Sequence, residues 1–194
     1  VDGGAPSYTI TGGADAALFS IDSATGVLTF NAAPNFEAPT DAGGNNVYDV
    51  TVQVSDGNGG SDTQAIAVTV TNVNEAPVIT SGAAVTAAEN QTAVITVTSS
   101  DVDGASPVYT ITGGPDASLF SIDSATGVLT FNAAPNFESP TDAGADNVYD
   151  VTVQVADGNG GTAAQAIAVT ISNVNEAPVV SSDGGAASAS LSVA

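Results

Sequence analysis

Apolar and polar residues alternate along much of this chain. Tyr48, Val50, Val52 and Val54 are interleaved with Asp49, Thr51 and Gln53, which is the two-residue period of a half-buried β-strand. Tyr149, Val151, Val153 and Val155 repeat that pattern, and Ile66, Val68 and Val70 have a copy in Ile167, Val169 and Ile171. Asp56-Gly57-Asn58-Gly59-Gly60 separates the two strands of the first copy and reads as a hairpin link. Further strands are expected at Tyr8–Thr11, Leu18–Ile21 and Val27–Phe30, with Val85-Thr-Ala-Ala and Ala93–Thr98 opening the second copy. No segment carries a helical period. Seven or so short strands in about 100 residues, punctuated by Gly, Pro, Asn and Asp, predict an all-β fold of the antiparallel β-sandwich type. Tyr8, Phe19, Phe30, Phe36, Tyr48 and their copies are expected in the core.

The copies are of domain length. Phe36-Glu37 recurs as Phe137-Glu138 and Asn74-Glu75 as Asn175-Glu176, each 101 residues on. Val1 aligns with Val102, so the first copy lacks a counterpart of residues 76–101. The expected organisation is a first repeat without its opening strands over 1–75, a complete repeat over 76–176, and the opening segment of a following repeat over 177–194. The chain reads as a piece of something longer. Modular, extended arrays carry such repeats, whereas a catalytic pocket is rarely copied this faithfully.

Charge sharpens the picture. The sequence holds no Lys, Arg, His or Cys and has a formal charge of −21 over 194 residues. Salt, bound cations or strong apolar burial must offset that self-repulsion. An apolar share of 43% argues for a packed core over disorder. Nucleic acid is excluded as a partner because its affinity begins with Lys and Arg on phosphate, and an anionic membrane surface is excluded likewise. No run approaches the roughly 20 apolar residues needed to span a bilayer, so direct membrane insertion of this segment is not expected. Without His, Cys or Lys there is no Ser–His pair, thiolate nucleophile or Schiff base. Only a carboxylate pair, as in glycoside hydrolysis, survives, and the repeated acids argue against an enzyme.

Several motifs then follow in a fixed order: Ala88-Glu89-Asn90, Asp101-Val102-Asp103-Gly104, Phe120-Ser-Ile-Asp-Ser-Ala-Thr-Gly127, Asn136-Phe137-Glu138, Val155-Ala156-Asp157 and Asn173-Val174-Asn175-Glu176-Ala177-Pro178. Together they resemble a bacterial cadherin-like repeat over almost the whole chain. The resemblance implies tandem sandwiches of cadherin or immunoglobulin-like Greek-key type, with calcium ions clamped between successive domains. For the junction between the copies it implies ligands from Glu37, from Asn72, Asn74 and Glu75 in the linker, and from Asp101, Asp103 and Asp157. Glu89, Glu138, Asn173, Asn175 and Glu176 would form half a site at the far end of the second domain, and Asp2 and Asp56 the matching half at the near end of the first. Calcium takes six to eight hard oxygen ligands, and this chain offers only such donors. Two departures reduce the carboxylate count: Asn35 or Asn136 stands where the family has Asp, and Asn72 or Asn173 opens a linker one residue shorter than the animal pattern. One to three ions per junction are therefore expected. Extracellular calcium modules bind at about 10⁻⁴–10⁻³ M.

Other acidic positions read differently. Asp22 and Asp123 each precede Ser-Ala-Thr-Gly between two strands, where a carboxylate can cap turn amides. Gly57–Asp62 superficially resembles a calcium-binding nonapeptide, but one copy every 101 residues cannot stack. Asn90-Gln91-Thr92 matches a glycosylation sequon and is taken as coincidence. The resulting expectation is a calcium-stiffened structural segment of an extracellular or cell-surface bacterial adhesin or fibre, whose partners are neighbouring repeats of the same or identical chains. Two alternatives stay open: a subunit of a self-assembling filament with strand donation between molecules, for which Leu191-Ser-Val-Ala resembles Val85-Thr-Ala-Ala, and a carbohydrate-binding module.

Overall fold

A computed structural model describes residues 4–104 and 106–178. Contacts divide the chain into two units, Val1–Glu75 and Ala76–Ala194. All regular elements are strands, apart from the single 3₁₀ turns Ala16–Leu18 and Ala117–Leu119.

The first unit contains β1 (Ser7–Gly12), β2 (Phe19–Ile21), β3 (Leu28–Phe30), β4 (Val47–Ser55) and β5 (Ser61–Thr69). They form an antiparallel sheet in the order β1-β4-β5 and a β2-β3 hairpin. The second unit contains β6 (Val78–Ile79), β7 (Ala84–Ala88), β8 (Ala93–Thr96), β9 (Ser99–Ser100), β10 (Val108–Gly113), β11 (Phe120–Ile122), β12 (Val128–Phe131), β13 (Val148–Ala156) and β14 (Thr162–Ser172). Its sheets run β10-β13-β14-β7 and β11-β12-β8, with a small β6-β9 pair. Strands β10 to β14 reproduce β1 to β5, and the β4–β5 register of Tyr48 on Val68 recurs as Tyr149 on Val169.

Two details differ from the sequence reading. Leu18 belongs to the 3₁₀ turn and not to the strand, which starts at Phe19. The sandwich is also not wholly antiparallel, because β7 pairs with β14 in parallel, Ala84 opposite Ala168 and Ala88 opposite Ser172. Alternation marks a strand but carries no information about the direction of its neighbour.

The turn acids behave as their sequence context implies. Asp123 Oδ1 accepts the backbone N–H groups of Ala125 (3.1 Å) and Thr126 (2.8 Å) and the Thr126 hydroxyl (2.8 Å). Asp22 does the same for Ala24 and Thr25. Two further pairs serve the backbone from buried positions. Asp15 accepts from Ala42 and Asp49 N–H, and Asp116 from Ala143 and Asp150 N–H. Asp41 and Asp142 close their loops on Asn45 and Asn46, and on Asp146 and Asn147.

Because the units share a sequence, the second reports what the extra strands do. Val153, Val155, Ile167, Val169 and Ile171 are all 2% exposed or less, whereas their counterparts Val52, Val54, Ile66, Val68 and Val70 are only half-buried. The aromatic trio is indifferent to the missing strands: Phe19 and Phe30 stack at 4.5 Å with Tyr48 edge-on, as do Phe120, Phe131 and Tyr149. Two aromatics expected in the core are not there. Tyr8 is half-buried where Tyr109 is buried, since among the described residues nothing stands to Tyr8 as Ser99 does to the Tyr109 hydroxyl. Phe36 is exposed, while Phe137 packs on the core of the second unit.

Gly127 and Gly26 both hold positive φ, +72° and +74°. A Cβ on Gly127 would run into the Val97 carbonyl, whereas on Gly26 the nearest atoms belong to the Tyr8 ring at 3.1 Å. Both Gly→Ala changes incur backbone strain of about 1–3 kcal/mol, and Gly127→Ala must in addition displace β8 and its extension. Differential scanning calorimetry should therefore show the larger loss for Gly127→Ala.

Amide caps hold the carboxyls of Asp22 and Asp123 below the usual range, the Thr25 and Thr126 N–H groups respectively contributing most. Burial raises Asp41 and Asp142, but the loop amides outweigh it and the net direction is again downward. A pKa lowered by folding adds stability that is complete above the unfolded value, about 3.9 for Asp, and disappears as pH falls through the folded value. Self-repulsion acts oppositely, easing as acids protonate. In chelator, thermal stability should hold or rise from neutral pH to about pH 5 and fall below about pH 4. The double change Asp22→Ala and Asp123→Ala should flatten that acid limb.

Candidate metal centre

The parallel pairing of β7 with β14 builds the most complete acidic group. Register puts Ala88 opposite Ser172, so the next residues, Glu89 and Asn173, leave the sheet side by side. Glu89 is buried at 3% exposure. Its Oε1 accepts the Val174 N–H at 2.7 Å and its Oε2 the Phe137 N–H at 2.9 Å. One side chain thereby ties the end of β7 to the exit linker and to the Asn136-Phe137-Glu138 loop. These amides, Val174 first, hold the Glu89 carboxyl below its ordinary pKa. Glu138 and Glu176 are brought to the same place, and one carboxylate oxygen from each of the three lies within 4.8 Å of the others.

Only amide donors temper this concentration of charge. Asn173 Nδ2 donates to Glu138 Oε1 at 2.6 Å, and Asn90 Nδ2 donates to Glu176 Oε1 at 2.8 Å. The sequence reading passed over Asn90, whose φ of +64° follows from its place in the turn after β7. Its position inside the Ala88-Glu89-Asn90 motif was the signal available. Asn175 lies in the same exposed exit linker and contacts the Glu176 carbonyl through Nδ2.

Asp101, Asp103 and Asp157 belong to the opposite end of this sandwich. The run of β14 between them and Glu89 is roughly 30 Å or more, at about 3.4 Å per residue. Asp101 Oδ1 accepts the Asp103 N–H at 2.9 Å, while Asp101 Oδ2 is buried without a hydrogen-bond partner. Asp157 is buried and accepts the N–H groups of Asn159 and Gly161 in the β13–β14 turn.

In the first unit, Glu37 and Glu75 bring carboxylate oxygens within 4.8 Å of each other. Asn74 Nδ2 donates to the Glu75 carbonyl at 3.1 Å, and Asn72 lies two residues earlier in the same exposed stretch. Asp56 caps its own hairpin through Asn58 and Gly60 N–H. Asp2 lies outside the described residues.

These donors suit a hard cation. Every one is a carboxylate, an amide oxygen or a backbone carbonyl, and there is no imidazole or thiolate in the sequence to favour a softer metal. A buried carboxylate oxygen without a partner, Asp101 Oδ2, is costly unless a cation or donor answers it. No basic side chain exists to do so.

Comparison with known proteins agrees with the architecture. A family described as bacterial Ig domain matches residues 74–170. Mouse cadherin-related family member 2 is 28% identical over 158 residues, which cover 78% of this chain but only 12% of that protein. Among solved structures, human protocadherin-24 EC1-2 aligns at 21% identity with a TM-score of 0.59, covering 91% of this chain and 84% of that one. Mouse cadherin-23 EC22-24 aligns at 20% identity with a TM-score of 0.56, covering 88% of this chain and 53% of that one. The chain belongs to the bacterial Ig domain family and takes the form of a cadherin-like repeat.

Proposed function

We propose that this chain is a structural, calcium-stiffened segment of an extracellular or cell-surface bacterial adhesin or fibre, with the domain boundaries and ligand sets set out from the sequence. The observation that carries this reading is the gathering of Glu89, Glu138 and Glu176 at one end of a sandwich in a chain without a single basic residue. Glu89 would anchor the ion site, because its backbone bonds hold it in place whether or not an ion is bound. Glu138 and Glu176, both exposed, would close on the ion, with Asn173 and Asn175 adding amide oxygens. Asp101, Asp103 and Asp157 would serve with Glu37, Asn72, Asn74 and Glu75 between repeats, and Asp56 and Asp2 with a preceding domain. That pairing rests on the order of motifs in the sequence. Calcium would supply charge neutralisation and geometric restraint at these residues, with no catalytic role proposed.

The reading is strengthened by where Glu89, Glu138 and Glu176 fall, together at one end of a sandwich beside its exit linker. A carbohydrate-binding role is not favoured, since Phe19, Phe30, Phe120, Phe131 and Tyr149 stack inside their units and the exposed Phe36 has no second exposed aromatic with which to form a platform.

Calcium should raise the melting temperature, each ion at tenfold its dissociation constant adding about 1.4 kcal/mol. Small-angle scattering should show an extended particle that becomes flexible in chelator. Glu138→Ala and Glu176→Ala should remove much of the calcium-dependent gain, yet leave stability in chelator unchanged or higher, because they relieve repulsion. Glu89→Ala should destabilise the second unit in both conditions, since it also releases two backbone amides. A melting temperature and scattering profile indifferent to calcium would overturn the proposal.

A further inference from the structure

The hairpin link Asp56-Gly57-Asn58-Gly59-Gly60 and its copy Asp157-Gly158-Asn159-Gly160-Gly161 hold the only Asn-Gly pairs of the sequence. Both pairs are exposed. In the first link, Asp56 N–H donates to Gly60 O at 3.1 Å, Gly57 N–H to Ser55 Oγ at 3.3 Å, and Asn58 and Gly60 N–H to Asp56 Oδ1 at 2.8 and 2.9 Å. Among the described residues, only Gly59 N–H of these five donates no hydrogen bond. Gly160 N–H is equally without an acceptor, while Asp157 takes the Asn159 and Gly161 N–H groups. The side chains show a matching contrast. Asn46, Asn90, Asn147 and Asn173 donate through Nδ2, and Asn35 and Asn136 accept through Oδ1, whereas the Asn58 and Asn159 carboxamides have no partner among the described residues. Space is open here as well: Gly59 and Gly160 hold φ of +102° and +112°, and a Cβ built on either would meet nothing.

We propose that Asn58 and Asn159 are sites of spontaneous deamidation, a covalent modification with water as its only co-reactant. Glycine has no Cβ to obstruct approach of its own nitrogen to the preceding carboxamide. Gly59 N gives its proton to solvent base and bonds to Asn58 Cγ; the Cγ–Nδ2 bond breaks, and Nδ2 takes up a proton and leaves as ammonia. Gly59 N is then shared by Cγ and the backbone carbonyl carbon of residue 58 in a five-membered imide. Water adds to one of these two carbons and breaks its bond to nitrogen. Opening at Cγ leaves aspartate, and opening at the backbone carbon leaves isoaspartate, whose main chain runs through Cβ and Cγ. Nothing is oxidised or reduced, and each event moves the net charge one unit beyond −21. Elsewhere the required nitrogen is engaged, as in Asn173-Val174, where Glu89 holds the Val174 N–H.

Either product alters the turn that made it. Isoaspartate lengthens the main chain by one carbon between the Asn58 and Gly60 amides, both of which Asp56 Oδ1 must reach. Aspartate keeps the backbone but sets a second carboxylate beside Asp56, or beside the buried Asp157 in the copy. The two β-hairpins thus carry a chemical clock at the same place.

The inference does not rest on calcium binding, and its test is run at one fixed calcium concentration. The chain 1–194 is aged in heavy-oxygen water at mildly alkaline pH, folded and in denaturant, and cut with a Glu-specific protease into fragments that include 38–75 and 139–176. Mass spectrometry should find one heavy oxygen gained at Asn58 and at Asn159, part of it as isoaspartate that an isoaspartyl methyltransferase labels. Conversion should rise with pH, since the glycine nitrogen must first lose its proton. The folded chain should convert no more than about tenfold slower than the unfolded one at these two positions, because an exposed turn opens at little cost. Hydrogen exchange at Gly60 and Gly161 should quicken as isoaspartate accumulates, and Asn58→Gln plus Asn159→Gln should abolish both the mass change and the quickening. Retention of both carboxamides in the folded chain while the unfolded chain converts, conversion spread evenly over the other asparagines, or aspartate formed without isoaspartate would overturn the inference.

Discussion

No side chain in this protein can neutralise a carboxylate, and much of the structure follows from that constraint. Twenty-one acidic residues must be accommodated by backbone N–H groups, by amide side chains, by solvent or by cations from outside. The fold sorts them accordingly. Asp22, Asp41 and their copies accept turn and loop amides that stabilise the charged form without any counterion, and Asp15 and its copy each accept two backbone N–H groups. The group at the end of the second sandwich is different in kind. Glu89 has its amides, but Glu138 and Glu176 are drawn to it with only one Asn donor each. No basic side chain answers the repulsion among these three carboxylates, and that repulsion weakens as ionic strength rises.

The internal repeat separates what the opening strands contribute from what the rest of the sequence does unaided. The Phe–Phe–Tyr cluster, the β4–β5 register and every aspartate-capped turn are the same with and without them. Burial of the outer half of the sheet is not. Val52 and Val54 have the same neighbours in sequence as Val153 and Val155, yet only the latter are sealed from solvent. Local propensity and hairpin chemistry therefore suffice for the central strands, whereas the core is closed by residues distant in sequence.

Much of this was legible from residue order. Period-two alternation located β4 and β13, and the Asp-Ser-Ala-Thr-Gly pattern announced an Asp-capped turn with a positive-φ glycine. What escaped were properties set by partners. The parallel direction of β7 leaves no mark on its own sequence. The exposure of Phe36 depends on a strand pairing that its local context does not mention. Asn90 looked like an incidental sequon because its relevance lies in Glu176, 86 residues away. Asp116 and Asp142 were passed over because repetition in an acidic chain points as readily to shared ligands as to shared loops.

The acidic ends also follow from topology. β6 pairs with β9 just before Asp101, so the chain enters the second sandwich at the end where Asp157 caps its hairpin. β7 then runs parallel to β14, and both finish at the other end, where Glu89 and the exit linker emerge together. Entry and exit are thus held at opposite ends by a single parallel pairing. Any linker leaving this fold must pass beside residue 89, and a carboxylate there meets the linker's own acids. The Val174 N–H bond to Glu89 makes the start of the linker part of the domain's end, so an ion held there would act on the linker directly. Stiffness of a chain of such repeats would then be governed at the same residues that join one domain to the next.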